Sequence, residues 1–202
     1  VSYDLAETDR SKLVGKQTLK GAKKLTLKQT LMPKRSGSTQ SYILADISGS
    51  MHGEKMDALK VALKKVWRVG IHGIAFSNQI YDFDEKDIDS LHSESTTNML
   101  DALLAAWSDK ADHMILLTDG QPDQAEDHIL QQVRLHTDIP IDTIGISRHD
   151  GAYNERFLRQ ISEITGGRFN SVNEPLLLSE VMSELLQISE VAQSTSGQTI
   201  QL

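Results

Sequence analysis

Asp46, Ser48 and Ser50 stand in the run Asp-Ile-Ser-Gly-Ser, directly behind the apolar segment Ser41 to Ala45. Asp119 stands in Thr-Asp-Gly, behind the apolar segment His113 to Thr118. If those segments are neighbouring strands, the two carboxylates are predicted to converge at one sheet edge. Carboxylates brought together out of water repel unless a proton or a cation intervenes, and a hard cation is the natural remedy. The hydroxyls of Ser48 and Ser50, on a turn opened by Gly49, can point to the same place as Asp46. Oxygen donors with few carboxylates, the balance being hydroxyls and water, suit Mg²⁺ or Mn²⁺ better than Zn²⁺. Ser-Gly-Ser and Asp-Gly are each ordinary turns when taken singly; together at one edge they make a candidate metal site. A third piece fits, because Thr-Thr-Asn-Met-Leu-Asp-Ala-Leu puts Thr97 at the opening of a helix, where its hydroxyl can reach the same edge.

The elements that must position these residues follow from hydrophobic spacing. Ser41 to Ala45 reads as the first strand. Met56, Leu59, Leu63 and Val66 recur at helical spacing, with Ala62 between them, and predict a helix over Glu54 to Arg68. Gly70 to Phe76 and Gln79 to Phe83 read as strands separated only by Ser77 and Asn78, so they form a hairpin and one edge strand is antiparallel. A polar loop through Asp84 to Ser95 leads to a helix from Asn98 to Trp107. His113 to Thr118 is a near-continuous apolar run, typical of a central strand buried on both faces.

Asp123 with Glu126 resembles a helix-starting capping pair, and Ile129 and Val133 supply that helix's buried stripe. Ile139 to Ile146 is the next strand. Phe157, Leu158, Ile161 and Ile164 mark a helix that stops at Gly166-Gly167, since glycine tolerates the left-handed conformation past a helix end. Arg168 to Val172 is a short last strand, and Leu178, Val181, Met182, Leu185 and Leu186 make the final helix. The expected fold is α/β: a doubly wound, Rossmann-like, mostly parallel six-stranded sheet with one antiparallel edge strand and helices on both faces. In such sheets ligands bind at the carboxyl ends of the central strands, where Asp46 and Asp119 fall.

Taken together, Asp-x-Ser-x-Ser, a threonine opening Thr-x-x-x-x-Ala-Leu, and Thr-Asp-Gly resemble the metal-ion-dependent adhesion site of von Willebrand factor A domains. The resemblance spans roughly Ser41 to Val191, and Ile-Asp-Thr-Ile-Gly-Ile-Ser and Ile-Thr-Gly-Gly-Arg-Phe look like that family's fifth strand and its approach to the sixth. It implies that Asp46, Ser48, Ser50, Thr97 and Asp119 hold Mg²⁺ directly or through water. It also implies that the free coordination position accepts an Asp or Glu carboxylate from a protein partner. The family often has Gly-Gly ahead of the threonine, whereas this chain has Ser95-Thr96. Thr96 and Thr97 are both candidates as the ligand, with Thr97 favoured by its spacing. His52, close behind the serines, is expected to be solvated, and His72, alternating with apolar residues, to be structural.

The 202 residues, 39% of them apolar, suffice for one such domain with short appendages. Residues 1–40 read as a basic arm, 41–192 as the domain and 193–202 as a polar tail expected to fray. Nine of the 21 basic residues lie between Arg10 and Arg35 with no acid among them, while the body from Ser41 onward is acidic. Such an arm reads equally as solvated or lying on the acidic body, or as binding a partner. Leu13, Leu19, Leu25, Leu27 and Leu31 dot it, and its near-lack of aromatics argues against recognition of single-stranded nucleic acid. The basic, leucine-dotted lead-in is similar to that of intracellular von Willebrand A proteins that serve as adaptors for AAA+ ATPases of the MoxR or magnesium-chelatase type. Two alternatives remain: a surface, adhesin-like binding module, and a nucleic-acid-associated protein binding through the arm.

Catalysis is not expected. Gly49 to Gly53 lacks the Gly-x-Ser-x-Gly of a hydrolase elbow. Ser48 stands where an aspartate-based phosphatase would carry its second carboxylate, and neither glycine-rich phosphate loop is present. The chain has no cysteine, which excludes a disulfide framework, a thiolate zinc site and a cysteine nucleophile and is compatible with a reducing compartment. Without a membrane-spanning apolar run, and with Val1 to Arg10 lacking the pattern of a secretory signal, the expected location is the cytoplasm. Because the chain opens on a valine, it reads as a piece from which a targeting segment could have been removed.

Overall fold

The structure, a computed structural model, describes residues 23–24, 40–119, 121–147 and 153–196. The arm's leucines, Gly120 and the last part of the tail lie outside the described residues. In chain order the elements are β1 (Lys23–Lys24), β2 (Ser41–Asp46), α1 (Glu54–Val66), β3 (Ile71–Phe76), β4 (Ile80–Phe83), α2 (Met99–Ser108), β5 (His113–Thr118), α3 (Glu126–Arg134), β6 (Ile141–Ile146), α4 (Glu155–Thr165), β7 (Phe169–Val172) and α5 (Leu178–Ser196). The sheet runs β1-β4-β3-β2-β5-β6-β7. From β3 to β7 the neighbours are parallel, and β4 joins β3 antiparallel through the expected hairpin.

The expected six strands are thus present, mostly parallel with one antiparallel edge, and flanked by helices. One further ladder comes from the basic arm: Lys23 and Lys24 pair antiparallel with Asp82 and Tyr81 of β4. Two other expectations are corrected. The polar stretch after β4 holds a 3₁₀ helix over Glu85–Ser90, started by a reciprocal capping box between Asp84 and Asp87. Helix α5 runs through Ser196, past the Gln193 at which the tail was expected to begin.

Side chains alternate across each central strand and so feed two cores. Ile43 and Ala45 of β2, with Ile115 and Leu117 of β5, pack with Leu59 and Leu63 of α1 and Met182 and Leu185 of α5. Tyr42, Leu44, Met114 and Leu116 pack on the other face with Leu103 of α2, Ile129 of α3 and Phe157 and Ile161 of α4. Burying each such aliphatic side chain contributes about 1.5–3 kcal/mol, so β2 and β5, buried along their whole length, are the rigid centre of the sheet. Helix α4 ends as its sequence predicts, with Gly166 in the left-handed conformation at φ 73°.

Candidate metal centre

Chain direction across the sheet reverses between β2 and β5. From β2 the chain crosses by α1 to β3 on one side, while β5 begins the run to β6 and β7 on the other. A crevice at such a switch point lies outside the carboxyl ends of the strands. Asp46, the last residue of β2, and Asp119, the first after β5, both stand there.

Asp46 is fully buried. Its Oδ1 accepts from the Ser48 N–H at 2.8 Å and its Oδ2 from the Thr118 hydroxyl at 2.5 Å. Burial pushes its pKa up to about 6; the hydrogen bonds from Thr118 and Ser48 oppose the rise, and the charge of Asp119 adds to it. The Ser48 and Ser50 hydroxyls lie 3.1 Å apart, and Ser50 Oγ donates to Asp119 Oδ1 at 2.6 Å. The other oxygen of Asp119 pairs with Lys55 Nζ, which also reaches the Ser50 carbonyl at 3.3 Å. Asp46, Ser48, Ser50 and Asp119 therefore gather as the sequence suggested, and a cation of the chain itself joins them.

Thr97 sits ahead of the α2 cap Asn98 and is buried, whereas Thr96 is exposed. Its N–H donates to Asp123 Oδ2 at 2.8 Å, and the Asp123 N–H donates back to the Thr97 carbonyl at 3.1 Å. Asp123 is thus no helix cap: α3 starts behind Ala125, with no side-chain cap. The same loop is tied down at two further points. The Glu94 N–H donates to the Ile47 carbonyl at 2.7 Å, and the Glu94 carboxylate accepts from Ser77 Oγ at 2.5 Å and from the Tyr81 hydroxyl at 3.2 Å. Gly49 serves this junction by close approach, since a Cβ there would stand 3.0 Å from the Glu94 carbonyl oxygen. His52 is exposed and contacts Ser93 Oγ at 3.3 Å, and His72 stacks on Tyr42 with ring centroids 5.0 Å apart.

Sequence reasoning missed Lys55, Glu94 and Asp123. Only Lys55 left a local signal, as a cation in the first turn of a helix, where the macrodipole disfavours it. The donor set itself is two carboxylates with hydroxyls. Among the described residues no group of three or more His, Asp or Glu gathers as a metal cluster. An all-oxygen set with so few carboxylates fits a hard divalent cation that completes its shell with water, and does not fit zinc.

Fold and site together define a Rossmann-like α/β interaction domain with an Asp-x-Ser-x-Ser turn at its switch point. The profile of the von Willebrand factor type A domain matches residues 40–69 and 86–170, and the chain belongs to that family. It is 34% identical over 153 residues to the human von Willebrand factor A domain-containing protein 3B, a match covering 65% of this chain and 12% of that protein's length. Among solved structures it is similar to a von Willebrand factor type A protein from Catenulispora acidiphila, with TM-score 0.63 and 23% identity over 75% of this chain and 42% of the other. It is also similar to the vWF domain of the type V pili tip protein Mfa5 from Porphyromonas gingivalis, with TM-score 0.55 and 12% identity over 82% of this chain and 98% of the other. At these identities the solved structures share the fold. Among the described residues no helix is long and apolar enough to cross a membrane.

Proposed function

We propose that this domain binds a protein partner through a divalent cation, Mg²⁺ or Mn²⁺, held by Asp46, Ser48, Ser50, Thr97 and Asp119. The observation that carries the reading is the buried Asp46 carboxylate beside a hydroxyl pair that leads directly to Asp119. A bound cation would offer an open coordination position to a carboxylate oxygen from an Asp or Glu of the partner. The chain's own part is positional. Thr118 and the Ser48 N–H fix the Asp46 carboxylate, Ser50 orients Asp119, and Asp123 holds the loop that carries Thr97. The Ser48 and Ser50 hydroxyls turn to each other and to Asp119, as positioning groups do, so the reading is of a domain that binds and does not catalyse.

For the partner, the resemblance to intracellular adaptors favours an AAA+ ATPase subunit presenting the carboxylate. An adhesin-like surface role uses the same chemistry and differs only in who presents that carboxylate. Nucleic-acid binding through the arm draws less support, because Lys23 and Lys24 lie in a ladder with the domain's own edge strand. The test is a calorimetric titration of the chain with Mg²⁺ and Mn²⁺, beside an Asp46→Ala, Asp119→Ala double variant whose fold is checked by thermal melting. Binding by the wild type and none by the folded double variant is expected, followed by capture of partners that EDTA releases. Equal binding by both would sink the reading.

A further inference from the structure

Both carboxylate oxygens of Asp119 are engaged by the chain itself. Ser50 Oγ donates to Oδ1, and the Lys55 ammonium takes Oδ2 and also touches the Ser50 carbonyl. The Asp119 side chain is 0% exposed and that of Lys55 20%, so the pair sits at the mouth of the site with the carboxylate inside and the lysine stem reaching in from the rim. Shielding from water strengthens the attraction between the two charges, while their desolvation offsets part of that gain.

Local helix physics does not account for this lysine. Lys55 lies in the first turn of α1, where the partial positive charge of the helix amino terminus repels a cation, and the acids Glu54 and Asp57 share that turn. A residue that departs from the local rule yet makes a specific buried contact marks a position where site chemistry outweighs helix stability. Its contact is with the carboxylate assigned above to the metal. A divalent cation at Asp119 would draw on the carboxylate whose Oδ2 the Lys55 ammonium holds, and two cations on one carboxylate repel, so each pairing weakens the other. The flexible four-carbon stem lets the ammonium swing out to water once it is displaced.

We propose, building on the metal reading above, that Lys55 is a tethered cation that competes with the divalent metal for Asp119. The lysine holds the site at low metal, and the site opens to a partner's carboxylate only when the metal displaces it. The residue thereby sets the metal concentration at which the domain becomes competent to bind, and the linkage is reciprocal: whatever weakens the lysine pairing tightens metal binding by the same factor.

The experiment uses the full 202-residue chain and Mn²⁺ as the probe. Calorimetry compares wild type with Lys55→Met, which keeps the stem, and with Lys55→Gln, each checked for folding by its melt. Amine acylation read by mass spectrometry then follows Lys55 in the wild type with and without Mn²⁺, with the exposed Lys64 as reference. The expected results are Mn²⁺ binding about tenfold tighter in both variants and a Lys55 acylation rate that Mn²⁺ raises several-fold while Lys64 stays constant. Wild type that fails to bind while Lys55→Met binds supports the proposal in its strongest form. Affinities equal to within about twofold, or a Lys55 reactivity that Mn²⁺ leaves unchanged, would overturn it and leave the metal reading standing. Absence of Mn²⁺ binding in every variant up to millimolar concentration would defeat the metal reading, and this inference with it.

Discussion

Buried aspartates at the two ends of the parallel sheet are treated in opposite ways. At the amino end, Asp142 accepts from the Arg168 N–H at 2.7 Å with one oxygen and pairs with His113 Nε2 at 2.8 Å with the other. Both partners belong to the framework, since His113 opens β5 and Arg168 immediately precedes β7. At the carboxyl end, Asp119 is instead held by the Ser50 hydroxyl and one lysine on a flexible stem, beside an Asp46 fixed by Thr118 and the Ser48 N–H. A carboxylate whose partners are fixed on strands joins elements together. One whose partners are a hydroxyl and a movable cation can change partners, and that is what a binding site requires.

The contrast fails if Asp142→Ala proves harmless. Removing this carboxylate leaves His113 Nε2 and the Arg168 N–H without their acceptor, among groups that folding has already desolvated. The expected cost is about 4 kcal/mol of stability in chemical denaturation, with Mn²⁺ affinity unchanged. A loss confined to metal affinity would invert the assignment of the two ends.

Acid titration sharpens the other half. Burial raises Asp46 from 3.8 to about 6, so its folded value lies above its unfolded one. Its contribution to the stability of the metal-free domain is therefore fully present below about pH 4 and is lost as pH rises through about 6. In EDTA, wild type should gain about 3 kcal/mol relative to Asp46→Asn between pH 7 and pH 4, read by denaturation of both proteins at each pH. The proposed metal binding needs the ionised carboxylate, so Mn²⁺ affinity should fall as pH drops below that same value. A pH-independent difference between the two proteins would show that Asp46 ionises as an ordinary surface carboxylate, and the proposed need for a cation would go with it.

What was legible in the sequence was whatever local spacing encodes. The unbroken apolar run of β5 reports a strand covered on both faces, and the spacing of Phe157, Leu158 and Ile161 before Gly166 reports a helix and its end. Asp46, Ser48, Ser50 and Asp119 could be gathered because their positions relative to strand ends are themselves local. The β1 ladder was hidden, since lysines have low strand propensity and its pairing depends on the edge that β4 offers. Glu94 was hidden because its partners Ser77 and Tyr81 lie across a loop from it. The pairing of Lys55 with Asp119 spans 64 positions and leaves no trace in hydrophobic period.

Asp123 is the case in which local grammar misled, and it supports the smallest and most discriminating prediction. Asp followed three residues later by Glu is a capping pattern, yet the carboxylate is spent on the Thr97 N–H, 26 residues away, while α3 begins without a side-chain cap. The two accounts separate on substitution. Were Asp123 a cap, Asp123→Ala would cost α3 some stability and leave the metal site untouched. Because it clamps the Thr97 loop, Asp123→Ala should cost only about 1 kcal/mol of stability and, on the proposed role of Thr97, weaken Mn²⁺ binding about tenfold, as for a residue that orients a ligand without being one. Asp123→Asn, which keeps an oxygen for the Thr97 N–H, should restore most of the affinity. Rescue by asparagine with no change in α3 would place Asp123 with the carboxyl-end site; lost stability without lost affinity would return it to the helix.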